Sequence, residues 1–169
     1  MNIIRHEAEG DLAGIRYVHE KAFERPGEAD LVDSLRDREA ILISLVAERD
    51  GQVVGHIAYS LVQIKAGEST FNALGLAPLA VLPQLQRQGV GTELIESSLD
   101  DCRREGHALV IVLGHPDYYT RFGFTRADAY GIVCEFDVPP EAFMVKELQE
   151  DALTGVHGTV FYAPEFHEI

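Results

Sequence analysis

The sequence predicts an α/β protein, a mixed sheet with helices packed on it, and three observations carry that expectation. Strand-like apolar runs and helix-period segments follow one another in the order βααβββαβαββ. An Asp50-Gly51 pair separates two runs rich in β-branched residues, the pattern of a two-residue hairpin turn. A polar, glycine-containing loop from Gln86 to Gly91 joins an apolar run to an amphipathic segment, so a strand, a loop and a helix follow in sequence.

Each element has its own reason. Ile3-Ile4-Arg5 reads as a short first strand. Asp11 is placed to cap a helix through about Phe23, with Leu12, Ile15, Val18 (or His19) and Ala22 on its inner side. Arg25-Pro26-Gly27 breaks the chain, and a second helix from about Glu28 to Asp37 turns Leu31, Val32 and Leu35 inward. The hairpin spans Ile43 to Arg49 and Val53 to Ile64, and Phe71 to Leu82 forms a further strand, whose end Pro78 and Pro83 bracket. A helix from Gly91 to Glu105 stops at Gly106. It aligns Cys102 with Ile95 and Leu99, which makes that cysteine a core residue. Ala108 to Leu113 is a buried strand, and Pro116 to Phe122 a short helix ended by Gly123. Ile132 to Phe136 and Thr159 to Tyr162 read as strands, while Glu141 to Leu148 fits a helical turn or an extended segment equally.

Composition narrows the function classes. The 169 residues read as a single domain, 1–169, with no repeat or linker-like stretch. The longest apolar run, Leu74 to Leu82, is too short for a membrane span, and the acidic start at Glu7, Glu9 and Asp11 lacks a signal peptide's apolar centre. A cytoplasmic protein with no membrane role is therefore expected. The net charge of −14 disfavours nucleic-acid binding and would favour a cationic partner. No metal-ligating cluster is expected.

The loop carries the chemistry. Two glycines separated by one residue at a helix start let backbone approach a ligand, and the free N–H groups of the first turn attract an anion such as a pyrophosphate. A P-loop would need Lys-Ser or Lys-Thr after the last glycine, and the dinucleotide fingerprint would need Gly or Ala where Leu94 stands. Neither fits. The segment resembles the coenzyme A loop of the GNAT superfamily of acetyl-CoA-dependent N-acetyltransferases, Arg or Gln, two residues, Gly, one residue, Gly or Ala, with Gln86, Gly89 and Gly91 in its fixed positions. Tyr119, four residues before Gly123-Phe124, stands where that family carries a tyrosine. The resemblance covers about residues 70 to 126, and small bacterial members with mostly unassigned acceptors are the nearest in kind.

The resemblance implies a mixed, mostly antiparallel central sheet with splayed strands and flanking helices, and acetyl-CoA as the acetyl-donor cosubstrate. Backbone groups of Leu79, Ala80 and Val81 would face the pantetheine and thioester, with Val81 supplying an oxyanion donor. The N–H groups of Arg87, Gln88, Gly89, Val90, Gly91 and Thr92 would hold the pyrophosphate, beside Gln86. Tyr119 would protonate the departing thiolate, or simply pack under the cofactor. The acceptor would be a small-molecule or peptide amine, and copies would pair through their C-terminal strands. One departure stands out. Many family members place a carboxylate on the strand before the loop, but Phe71 to Leu82 contains no Asp or Glu, and Asn72 is its only strongly polar side chain. A base must come from elsewhere: Glu28, Asp30, His56 and the His115/Asp117 pair are the candidates, although His56 also fits a packed or surface histidine and the pair also fits a helix cap. A non-catalytic acyl-CoA sensor is the alternative function.

Overall fold

In the computed structural model, which describes residues Met1–Ile169, nine strands join in one mixed sheet. Strand β1 (Ile3–His6) leads into helices α1 (Leu12–Phe23) and α2 (Gly27–Asp37), followed by β2 (Ile41–Arg49), β3 (Gln52–Ala66) and β4 (Ser69–Val81). Helix α3 (Val90–Arg104), β5 (Leu109–Leu113) and the single turn α4 (Pro116–Tyr119) come next. The chain finishes with β6 (Thr125–Arg126), β7 (Ile132–Cys134), β8 (Phe143–Glu147) and β9 (Gly158–Phe161). The strand order is β1-β2-β3-β4-β5-β8-β6, with β9 joined to β3 and β7. Pairing is antiparallel for β1 with β2, β3 with β9 and β8 with both β5 and β6, and parallel for β4 with β5 and β7 with β9.

The hairpin forms as its turn demands. Asp50 (φ +52°) and Gly51 (φ +77°) both adopt the left-handed conformation of a type I′ turn, whose twist matches the flanking strands.

The chain divides into two compact units, and β3 and β4 contribute to both. The first unit comprises 1–59, 77–101 and 164–169; Ile15, Val18, Leu31, Leu35, Ile57, Leu94 and Ile95 are among its buried side chains. The second comprises 60–76 and 102–163, and its core gathers Val62, Ile64, Leu109, Ile111, Ile132, Val145 and Val160.

Several local expectations change. Asp11 precedes α1 but makes no side-chain cap; its carboxylate instead accepts from the Arg5 guanidinium at 2.7 and 2.9 Å and from the Ala8 N–H at 2.6 Å. A charge-assisted bidentate pair outcompetes a single cap bond. Leu12 is 40% exposed rather than inward, and His19, buried, joins Val18 on the inner face. Pro78 lies inside β4 behind a cis Ala77–Pro78 bond, and β4 runs on to Val81, because one missing N–H does not end a strand whose neighbours still pair. Pro83 opens a 3-10 turn, Pro83–Leu85. The ambiguous segment Glu141 to Leu148 contains strand β8, held between β5 and β6. Its three buried residues in a row, Phe143, Met144 and Val145, show no alternation, so periodicity could not identify it.

Gly55 sets how closely α3 approaches the sheet. A Cβ there would stand 3.0 Å from Leu94 Cδ1, 3.2 Å from Val90 Cγ1 and 3.3 Å from the Ala80 carbonyl oxygen. Gly55→Ala is expected to lower the unfolding free energy by about 1–3 kcal/mol through overpacking, measured by urea denaturation.

Candidate functional site

The glycine loop hangs from the end of β4 by two bonds. The Leu82 N–H donates to the Val54 carbonyl at 3.0 Å, and the Gln86 side-chain amide donates to the Val81 carbonyl at 3.0 Å. Gln86 thus acts on the loop by tying it back to the strand. Arg87 (φ +64°) and Gly89 (φ +89°) take left-handed conformations, and at Gly89 a glycine meets this without strain. The first bond of α3 runs from the Glu93 N–H to the Gly89 carbonyl at 3.0 Å, so the N–H groups of Val90, Gly91 and Thr92 have no partner within the helix. Nothing lies within 4 Å of where a Gly89 Cβ would be. Such an open, amide-lined helix start suits a diphosphate. Leu79 is half-buried, whereas Ala80 and Val81 are buried.

Parallel register joins β4 to β5 at Leu74 with Val110 and Gly75 with Ile111 only. Strand β5 continues to Leu113, paired on its other edge with β8 through Val112–Met144 and Leu113–Phe143.

Tyr119 closes α4 and is buried at 8% exposure. Its ring meets Phe124 edge-on at 5.7 Å and Tyr118 at 5.1 Å. Gly114 makes room for it: a Cβ there would lie 2.3 Å from the Tyr119 ring. Burial, with a smaller effect from Tyr118, pushes the phenol pKa up, so Tyr119 stays a protonated donor at neutral pH. Tyr118 faces another way, against Phe122 and under the Arg121 guanidinium.

Most of the base candidates are otherwise engaged. Glu28 is buried and paired with Arg25, and Asp30 is paired with Arg16. His115 occupies the N-cap position of α4 without a side-chain cap bond, which removes the capping reading. Asn72 is exposed. Cys102 is fully buried and burial pushes its thiol pKa up to about 12, in keeping with a core role.

His56 is the exception. It is fully buried at the centre of a hydrogen-bonded chain in the first unit. His56 Nδ1 stands 2.8 Å from His19 Nε2, and His56 Nε2 stands 2.8 Å from Ser44 Oγ. The Ser44 hydroxyl donates to Glu7 Oε1 in a short bond, and Arg36 donates to the same carboxylate at 2.9 and 3.1 Å. His19 Nδ1 is buried and has no hydrogen-bond partner in the protein. Burial lowers the pKa of both imidazoles, that of His19 to about 3, with His56 and Arg36 adding to the effect. Burial raises the Glu7 pKa, but the neighbouring His56, Arg36 and Ser44 together hold it down at about 2. Glu7 and Ser44 also line a cleft of about 460 Å³ with His6, Arg36, Glu39, Ile41 and Leu42. Sequence reasoning missed Glu7, His19 and Ser44 as a group. The available signal was two histidines at inward-facing positions, one on a helix and one on a strand.

Residues 3–127 match the family model described as an acetyltransferase (GNAT) domain. The chain is 37% identical over 166 residues to YhbS of Escherichia coli (strain K12), called an uncharacterized N-acetyltransferase, with 98% of each chain covered. Among solved structures it is similar to E. coli YhbS in complex with CoA, at a TM-score of 0.92 and 37% identity over 98% of this chain and 92% of that one. It is also similar to a GNAT family acetyltransferase from Brucella melitensis in complex with acetyl-CoA, at a TM-score of 0.81, 37% identity and 98% of both chains.

The buried imidazoles make stability depend on pH. Their folded pKa values lie below the unfolded value near 6.5, so the unfolded chain binds protons first as pH falls. Stability should be flat with respect to these groups above about pH 7 and should fall as pH drops from about 6.5 towards 3, by up to about 1.4 kcal/mol per pH unit for each histidine. Below about pH 4.5 the depressed Glu7 adds loss of the same sign. Urea unfolding between pH 7 and pH 5 measures the slope, and His56→Asn should flatten it.

Proposed function

The chain belongs to the GNAT acetyltransferase family, and we propose that it transfers an acetyl group from acetyl-CoA to a primary amine by direct attack, residues 1–169 acting as one catalytic domain. The observation that carries this reading is the Gln86–Thr92 loop, with its left-handed Arg87 and Gly89 and the unpaired amides that open α3. Two similar proteins, 37% identical over 98% of this chain, are solved with CoA and with acetyl-CoA, which supports the same cosubstrate here.

In this reading the N–H groups of Arg87 to Thr92 grip the diphosphate. The backbone of Leu79, Ala80 and Val81 orients the pantetheine arm and thioester, and the Val81 N–H receives the negative charge that develops on the carbonyl oxygen. The amine must be neutral to attack, although alkylamines are mostly protonated at pH 7. Tyr119 gives its hydrogen bond, then its proton, to the departing thiolate. The net charge of −14 favours a cationic amine, whether a small metabolite or a peptide.

Titration calorimetry should show saturable binding of acetyl-CoA and of CoA, and no affinity at millimolar concentration would overturn the reading. Thiol release across an amine panel should reveal at least one accepted amine, and Tyr119→Phe should lower kcat by about 100-fold while leaving acetyl-CoA affinity intact. Binding without release on any amine would instead make the chain an acyl-CoA sensor.

A further inference from the structure

Within the second unit the end of β3 lies beside β9, and β9 beside β7. Val62, Ile64, Val160 and Ile132 of these strands point into the core. Strand alternation therefore turns Leu61, Lys65, Phe161 and Val133 to the opposite face. A sheet face turned to water ordinarily carries polar side chains. Here Leu61 is 43% exposed, Phe161 40% and Val133 48%. The register brings the three together. Phe161 stands opposite Gln63, two residues from Leu61, and Val133 stands beside Thr159, two residues from Phe161. They form one apolar stripe that crosses three strands diagonally.

Two opposite charges flank the stripe. Lys65 of β3 reaches over Phe161, its Nζ 5.4 Å from the ring centroid. On the β7 side, Glu135 follows Val133 by two residues. Its N–H donates to the Val160 carbonyl at 3.1 Å, and its carboxylate accepts the Tyr162 N–H at 2.7 Å. A cation thus lies on one side of Phe161 and an anion on the other. A chain of net charge −14 repels a second copy over most of its surface, but this face is balanced.

We propose that this face is a homodimer contact, in which two copies pack their outer sheet faces across a two-fold axis running along β9. Such an axis sets Phe161 against the partner's Phe161 and turns β3 of one copy over β7 of the other. Lys65 then meets the partner's Glu135, and the same pair forms twice. The four-carbon lysine stem spans the two-residue offset between them along the strands. This self-complementary placing of charge about a central aromatic is what fits the face to a second copy. The contact joins faces, and strand edges take no part. Three strands about 4.8 Å apart make a face smaller than the roughly 800 Å² per partner of a standard interface, so the dimer forms at micromolar concentration. It does not depend on the acetyltransferase reading.

Sedimentation equilibrium on the full chain tests this. Monomer and dimer should both be present between about 10 μM and about 1 mM. A monomer alone at about 1 mM would leave the face to a different protein and overturns the proposal. Phe161→Ser and Lys65→Glu should each raise the dissociation constant about 10-fold or more, with urea midpoints close to that of the parent chain. Dimerisation unaffected by both places the contact elsewhere and overturns the proposal. Mixing Lys65→Glu chains with Glu135→Lys chains should restore dimers that neither forms alone, because a two-fold contact brings each reversed charge to its opposite. No recovery between two folded variants overturns the two-fold arrangement. Should Glu135→Lys fail to fold, Phe161→Ser and Lys65→Glu decide the matter.

Discussion

Three successive residues of β3 hold the first unit in working order. The Val54 carbonyl receives the Leu82 N–H and so fixes where β4 ends and the glycine loop begins. Gly55 presents no side chain, which lets Val90 and Leu94 of α3 close on the strand. His56 points to the opposite face, where α1 supplies His19 and β2 supplies Ser44. Strand alternation separates these tasks: one face receives the helix that opens with the amide cluster, and the other receives the buried imidazoles. A slip of one residue would exchange the two faces and abolish both arrangements.

The loop works through backbone, so its side chains serve mainly to shape it. Gln86 holds the Val81 carbonyl, and Gln88 donates to the Gln84 carbonyl at 3.1 Å. Two such tethers reduce the conformational freedom that a ligand would otherwise have to remove on binding. In the second unit the same economy of space governs Tyr119, whose ring takes the volume that a side chain at position 114 would fill. There a glycine contributes shape rather than flexibility.

Charge is distributed unevenly in what it accomplishes. Exposed pairs such as Arg126 with Asp128 and Arg38 with Glu165 contribute little to stability in water. The Glu7 carboxylate is different, because it takes bonds from Arg36 and Ser44 beside a fully buried imidazole. Low local polarity makes such a network costly when incomplete and directional when satisfied. It also explains why the two histidines remain neutral, since a charged ring at that depth would lose its hydration, a cost that Glu7, 3.7 Å from His56 Nε2, does not offset.

The legible parts of this protein were those whose cause is local. Asp50-Gly51, the glycine pair after β4, the helix stop at Gly106 and the proline and glycine flanking α4 each act over a few residues, so the fold class, the order of elements as far as α4 and the glycine-opened start of α3 could be read directly. No helix is long and apolar enough to cross a membrane, as the short apolar runs implied. Strand β8 could not be read, because burial on both faces erases the alternation that marks a strand. Nor could the partner of Asp11, which a guanidinium from β1 takes from the helix it was placed to cap. The chain from Glu7 to His19 draws on four separated stretches of sequence, and their spacing bears no pattern. Sequence by itself determined where the backbone could hold an anion, since amides need only a loop and a helix start. Tertiary structure alone decided which distant side chains meet, since hydrogen bonds between Glu7, Ser44, His56 and His19 exist only once strands and helices have packed.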